Sequence, residues 1–128
     1  MKQILIVDDK PAIRLKFVES LSRIGSFQVS QAENGDRAWE LIQAGQGRMV
    51  FDLVISDLEM PGMTGLELLG RIRNSRQWAQ TPFIMATTVQ DRKTIMDIMA
   101  LGIQAYMAKP FDDDLLALKL AQAGVVIP

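Results

Sequence analysis

Short apolar runs alternate with stretches of three- and four-residue spacing along this chain. Ile4-Leu5-Ile6-Val7, Leu53-Val54-Ile55-Ser56 and Phe83-Ile84-Met85-Ala86 suit strands buried on both faces, and weaker runs cover Phe27 to Ala32 and Ala105 to Ala108. Between them Ile13, Phe17, Leu21 and Ile24 recur at helical spacing and form one apolar stripe. Ala38, Leu41 and Ile42 repeat the pattern, as do Leu66, Leu69 and Ile72, then Ile95, Ile98 and Met99, and finally Leu115, Leu118 and Ala121. Pro11 stands where the first helix begins, a position that tolerates its missing N–H. Gly25, Gly45, Gly102 and Gly124 follow helical stretches, where a left-handed residue often closes the helix. Asp112 to Asp114 precede the last helix and favour its positive end.

Five strand–helix units follow from this rhythm. They predict an α/β fold, an open, doubly wound five-stranded parallel sheet with right-handed crossovers and helices on both faces. At 128 residues the chain is one domain, too short for an eightfold barrel. The domain is expected over residues 1–123. The tail 124–128 reads as the start of a linker or as a segment packed on the last helix.

Composition narrows the chemistry. Fourteen basic against 15 acidic residues leave a net charge of −1, so no overall field draws the chain to nucleic acid or to an anionic membrane. Cysteine is absent, which removes disulfides, thiolate catalysis and Cys-based zinc sites. Histidine is absent too, so a Ser-His-Asp triad, a His metal cluster and a phosphohistidine carrier are impossible within the chain. No run approaches the roughly 18 apolar residues of a membrane span. Ile4 to Val7 is shorter than the roughly 7–15 residues of a signal-peptide core, so the expectation is a soluble cytoplasmic protein.

In an open α/β sheet, ligands bind beyond the carboxyl ends of the strands. Those ends carry Asp8-Asp9, Asp57, Thr87-Thr88 and Lys109-Pro110. Three carboxylates at one mouth repel each other and favour a hard cation with oxygen ligands, such as Mg²⁺. Beside such a cation, an ammonium and a hydroxyl suit phosphoryl transfer, with Lys109 and Thr87 on the phosphoryl oxygens. With Cys and His missing, a carboxylate is the available nucleophile, and Asp57 is the candidate. Taken singly, each residue also has a plain structural reading. Asp8 and Asp9 can complement a helix start, Asp57 can open the turn at Met60-Pro61-Gly62, and Thr87 and Lys109 can be a loop hydroxyl and a solvated charge.

The ordered set Ile-Leu-Ile-Val-Asp8-Asp9, Asp57-Leu-Glu-Met-Pro61-Gly-Met-Thr-Gly65, Pro-Phe-Ile-Met-Ala-Thr87-Thr88 and Tyr106-Met-Ala-Lys109-Pro110-Phe111 resembles response-regulator receiver domains over residues 3 to about 122. The resemblance implies the flavodoxin-like strand order 2-1-3-4-5. It implies a signalling switch of two-component phosphorelays that catalyses only its own phosphorylation and dephosphorylation. The phosphoryl donor would be a phosphohistidine on a sensor histidine kinase or histidine phosphotransfer protein. Asp57 matches the phosphoacceptor. Asp8, Asp9, Asp57 and the main-chain carbonyl of Glu59 match the Mg²⁺ ligands. Thr87 matches the hydroxyl that moves onto the phosphoryl group, Lys109 its ion-pair partner, and Tyr106 the aromatic that swings inward. The Lys109–Pro110 peptide is expected to be cis. Glu59 and Val89 match positions that tune phosphate loss, and Thr88 stands where a smaller residue is common.

Other residues carry weaker readings. Met85, Met96, Met99 and Met107, around the implied output surface of the fourth helix, fifth strand and fifth helix, read mainly as core filler. Arg71, Arg73 and Arg76 read as a solvated helix end. Trp39 and Trp78 lie away from the site. No DNA-binding helix pair or enzymatic domain follows residue 123, which suggests a single-domain regulator or part of a hybrid protein; neither nucleic acid nor a membrane is an expected direct partner. Two alternatives stand beside the receiver: an aspartyl-phosphate phosphohydrolase of the haloacid-dehalogenase type, suggested by Asp57-Leu58-Glu59 at a strand end, and a receiver-like fold that is never phosphorylated.

Overall fold

The computed structural model describes residues 1–89 and 91–125. The elements alternate as the hydrophobic pattern predicts: β1 (Lys2–Val7), α1 (Pro11–Ile24), β2 (Phe27–Ala32), α2 (Gly35–Gln43), β3 (Leu53–Ser56), α3 (Gly65–Asn74), β4 (Phe83–Thr87), α4 (Arg92–Leu101), β5 (Ala105–Ala108) and α5 (Asp113–Gln122). The strands form one parallel sheet in the order β2-β1-β3-β4-β5.

Strand residues are apolar on both sides because each face of the sheet is covered. Leu5, Val7, Val54, Phe83 and Met85 point into the core shared with α2, α3 and α4. Ile4, Ile6, Leu53, Ile55 and Ile84 point into the core shared with α1 and α5. Each such side chain contributes ~1.5–3 kcal/mol by leaving water. That alternation fixes register, since a one-residue slip would exchange the two faces.

Caps terminate the helices locally. Pro11 is the first residue of α1, while Asn34, Asp91 and Asp112 accept hydrogen bonds from the main chain of the first turns of α2, α4 and α5. Thr64 and Glu67 form a reciprocal capping box on α3. Gly102 and Gly124 take positive φ after α4 and α5 as expected. Gly25 instead is extended, and α2 ends before Gly45, with positive φ falling at Gln46 and Gly47.

Three expectations need correction. In α5 the inward positions are Leu116 and Leu120, whereas Leu118 and Ala121 are exposed; the helix is apolar on several sides, and packing on α1 and β5 selects the phase. In α4 only Ile98 is fully inward, and Met96 and Met99 are 60% and 62% exposed, so the four methionines split: Met85 and Met107 are core, the α4 pair is surface. Arg73 is not a solvated helix end. Its guanidinium donates to the main-chain oxygens of Ala79 (3.0 Å), Thr81 (2.7 Å) and Gly102 (2.8 Å) and to Gln104 Oε1 (3.4 Å). Burial pulls its pKa down.

Val125 packs into the α1/α5 core, as one reading of the tail has it; Val126, Ile127 and Pro128 lie outside the described residues. Among the described residues no helix is long and apolar enough to cross a membrane.

Candidate functional site at the carboxyl ends of the strands

The β-ladder itself brings the acidic residues together. Val7 pairs with Ser56, and the chain continues past both, with Asp8 N–H donating to Ala32 O (3.1 Å) and Asp57 N–H to Val7 O (2.8 Å). Asp8 and Asp57 are therefore neighbours at the exits of adjacent strands, 1% and 6% exposed. Gly65 makes room behind Asp57: a Cβ there would stand 2.1 Å from the Asp57 carbonyl oxygen, so only glycine lets α3 begin so close.

Lys109 follows β5 through a cis Lys109–Pro110 bond, and its N–H donates to Thr87 O (3.0 Å). Its ammonium donates to Asp8 Oδ2 (3.0 Å) and stands 3.3 Å from Asp57 Oδ1. One cation thus spans two buried carboxylates. Asp8 Oδ1 also accepts from Lys10 N–H (2.9 Å), and Asp57 Oδ1 from Leu58 N–H (2.9 Å). Burial pushes the Asp57 pKa up, with Asp8 adding to the effect and Lys109 opposing it.

Asp9 completes the cluster. Among the described residues its Oδ1 is buried without a hydrogen-bond partner, with Lys10 Nζ 3.6 Å away, and single carboxylate oxygens of Asp8, Asp9 and Asp57 lie within 4.8 Å of one another. A buried polar atom left unpaired is costly. An all-oxygen set of three acids with one orphaned oxygen fits a hard divalent cation such as Mg²⁺.

A cavity of about 280 Å³ opens over this cluster. Asp57, Glu59, Thr87, Thr88 and Lys109 form its polar side. Lys10, Ile13, Lys16, Pro110 and Phe111 form the other. Lys16 Nζ sits 5.0 Å over the Phe111 ring, which stacks on Phe17. Lys10 and Lys16 escaped the sequence reading, and Ile13 entered it only as part of the α1 apolar stripe; Lys10 directly precedes α1, and the three-residue spacing of Ile13 and Lys16 puts those two on one helix face.

The remaining candidates lie close by. Thr87 is buried and its Oγ1 accepts from Val89 N–H (3.1 Å). Tyr106, half-buried against the α2–α4 core, donates its hydroxyl proton to Val89 O. Burial pushes the Tyr106 pKa up. Neither Tyr106 nor Val89 lines the cavity, whereas Glu59 stands exposed on its rim.

The family model for the response regulator receiver domain matches residues 4–121. The chain belongs to that family. Among curated relatives, the receiver is 34% identical over 118 residues to chemotaxis protein CheY1 of Helicobacter pylori, covering 92% of this chain and 93% of that protein. It is likewise 34% identical over 119 residues to chemotaxis protein CheY-3 of Vibrio cholerae, covering 92% and 88%. Among solved structures, Vibrio cholerae CheY4 superposes with a TM-score of 0.85 at 32% identity, covering 96% of this receiver and 98% of that chain. Response regulator TrrA of Thermotoga maritima, solved in complex with Mg²⁺ and BeF, superposes with a TM-score of 0.81 at 35% identity, covering 96% and 99%. The protein is a CheY-like receiver of two-component signalling, a switch module. The match favours it over a haloacid-dehalogenase-type phosphohydrolase, whose nucleophile belongs near a first strand, whereas Asp57 closes β3.

Proposed function

We propose that this receiver accepts a phosphoryl group on Asp57 from a phosphohistidine of a sensor histidine kinase or histidine phosphotransfer protein. The observation that carries the reading is the cluster itself: one ammonium shared by two buried carboxylates, beside a third carboxylate with an unpartnered oxygen. Asp8, Asp9 and Asp57, with the main-chain carbonyl of Glu59, would hold Mg²⁺. When bound, the ion supplies positive charge that offsets carboxylate repulsion and steadies the phosphoryl oxygens.

The chain's own groups do the rest. A carboxylate oxygen of Asp57 attacks phosphorus in line with the imidazole of the donor. An O–P bond forms, the N–P bond breaks, and the imidazole nitrogen leaves with the electron pair. Lys109, already between Asp8 and Asp57, turns its donors to the new phosphoryl oxygens. The product carries about two negative charges, which Lys109 and the Thr87 hydroxyl must share.

Drawing Thr87 Oγ1 to the phosphoryl group breaks its bond to Val89 N–H, and Val89 O is the acceptor of the Tyr106 hydroxyl. The two bonds in series link the acceptor to Tyr106 and so to the surface of α4, β5 and α5. A downstream protein that prefers the rearranged surface shifts the population toward it. Glu59, on the cavity rim, and Val89, in this relay, set the rate of phosphate loss.

The test is labelling by acetyl phosphate with Mg²⁺, read by intact mass. The native chain is expected to gain one phosphoryl group and Asp57→Asn none. Undiminished labelling of that variant overturns the assignment.

A further inference from the structure

α3 leaves the mouth at Gly65, against Asp57, and runs back to Asn74, so its last turns lie toward the opposite end of the sheet. There an open groove of about 740 Å³ runs between α2, α3 and residues 75–78. Gly70 is part of its floor, Trp39 and Trp78 meet edge to face (5.6 Å) in its wall, and Arg71 and Arg76 stand on its margin.

Two independent features mark this groove. Gly70 is interior to α3, yet a Cβ added there would meet nothing within 4 Å among the described residues outside its own helix backbone. A helix-interior glycine weakens the helix relative to alanine, and no contact inside this fold requires one here. The bare backbone leaves space for something outside the chain. The second feature is charge. Arg48, Arg71 and Arg76 are exposed and, among the described residues, their side chains make no ion pair or hydrogen bond. Arg92 on α4 is free in the same way, whereas Arg14, Arg23, Arg37 and Arg73 are engaged, so three of the four free arginines gather at this groove. The Arg48 loop is held to the groove wall by Trp78 Nε1–H donating to Arg48 O (2.9 Å), and it exposes Met49 and Val50.

We propose that this groove docks an acidic, partly apolar segment of a partner protein, with carboxylates on the arginines and an apolar side chain over Gly70 beside the tryptophan pair. Met49 and Val50 add apolar surface that a peptide side chain can cover and a phosphate backbone cannot, so a protein segment fits better than a nucleic acid. The groove is remote from the Asp57 cavity and shares no lining residue with it, so docking and phosphorylation are compatible.

Trp39 and Trp78 are the chain's 2 tryptophans, so tryptophan emission, excited selectively over Tyr106, reports this groove. The intact chain is titrated with a Glu-Glu-Leu repeat peptide, a Lys-Lys-Leu repeat peptide and oligo-deoxythymidine. A saturable emission shift is expected with the acidic peptide only. Gly70→Leu, which fills the floor, and the pair Arg71→Glu/Arg76→Glu are each expected to weaken it about tenfold or more. Gly70→Leu should melt at or above the native temperature, and both variants should label normally with acetyl phosphate. No saturable shift with the acidic peptide, equal binding of the basic one, or native affinity in Gly70→Leu overturns the proposal. Tighter binding of the oligonucleotide replaces it with nucleic-acid docking.

Discussion

The two ends of the sheet treat buried charge in opposite ways. At the carboxyl end, Asp8, Asp9 and Asp57 crowd together with Lys109 between two of them, and one Asp9 oxygen has no hydrogen-bond partner among the described residues. At the amino end, Arg73 is the half-buried charge, and its donors meet three main-chain carbonyls and the Gln104 amide oxygen, which also accepts from Phe83 N–H (2.7 Å). One end is satisfied from within and serves as a staple joining α3, the loop before β4 and the turn after α4. The other is left short of positive charge, which is what the proposed binding of a cation and a phosphoryl group would relieve. Stability and reactivity are thus placed at opposite ends of the same strands.

Breaking the satisfied end should do the most damage. Arg73→Ala leaves several carbonyls without their donor and is expected to cost ~3 kcal/mol, lowering Tm by roughly 10 °C in thermal unfolding. Arg73→Lys, a single ammonium in place of a planar fork, should recover only part of that. If Arg73→Ala unfolds at the native temperature, the staple is not structural and the contrast between the ends fails.

Gly65→Ala tests the reactive end by sterics alone. Its Cβ would stand 2.1 Å from Asp57 O and 3.0 Å from Leu58 Cα, both main-chain atoms that cannot swing aside. A loss of ~2 kcal/mol is expected from the forced backbone shift. Acetyl phosphate labelling of Asp57 should slow as well, because the proposed acceptor's own peptide unit must move. A fall in Tm with an unchanged labelling rate would show that the displacement goes into α3 instead.

The electrostatic cost at the mouth should appear as extra stability when the charge is removed. Burial raises the Asp57 pKa in the fold. Its favourable contribution is complete below the unfolded carboxylate value of about 4 and is lost as pH rises through the raised folded value. At neutral pH, with metal chelated, Asp57→Asn is therefore expected to stabilise the receiver by ~1 kcal/mol. That advantage should vanish in acid. Added Mg²⁺ should raise the native Tm more than that of the variant. A variant less stable than the native chain at neutral pH would mean that the Asp57–Lys109 pair outweighs the desolvation.

Much of this was legible before any coordinates, and the reason is geometric. Asp8, Asp9, Asp57, Thr87 and Lys109 directly follow or end apolar strand runs, and parallel pairing gathers those ends whatever the helices do. The phase of α5 was not legible, since Leu115, Leu116, Leu118 and Leu120 offer competing stripes and only docking chooses between them. Nor was the Arg73 staple. Its acceptors are mostly main-chain oxygens of residues 79, 81 and 102, and a carbonyl has no residue-type signature. The split among the methionines has the same origin, because an apolar side chain on a helix does not say which of two apolar sides faces inward.

The smallest expected effect compares two carboxylates shifted in opposite directions. Asp113, at the start of α5, accepts from Arg23 Nε (2.7 Å) and from the buried Ser20 hydroxyl (2.5 Å), and these bonds hold its pKa down to about 2. A lowered folded value has the opposite sign to that of Asp57. Its contribution is fully present above about pH 4 and is lost as pH falls toward 2. Ser20→Ala should therefore lower Tm slightly at neutral pH, and the gap from the native chain should close as the acid limb is descended. Asp57→Asn also converges on the native Tm in acid, but from above, so the two variants bracket the native curve. If the Ser20→Ala gap instead stays constant down to pH 2, the hydroxyl contributes packing between α1 and α5 rather than charge stabilisation of Asp113, which then rests on Arg23.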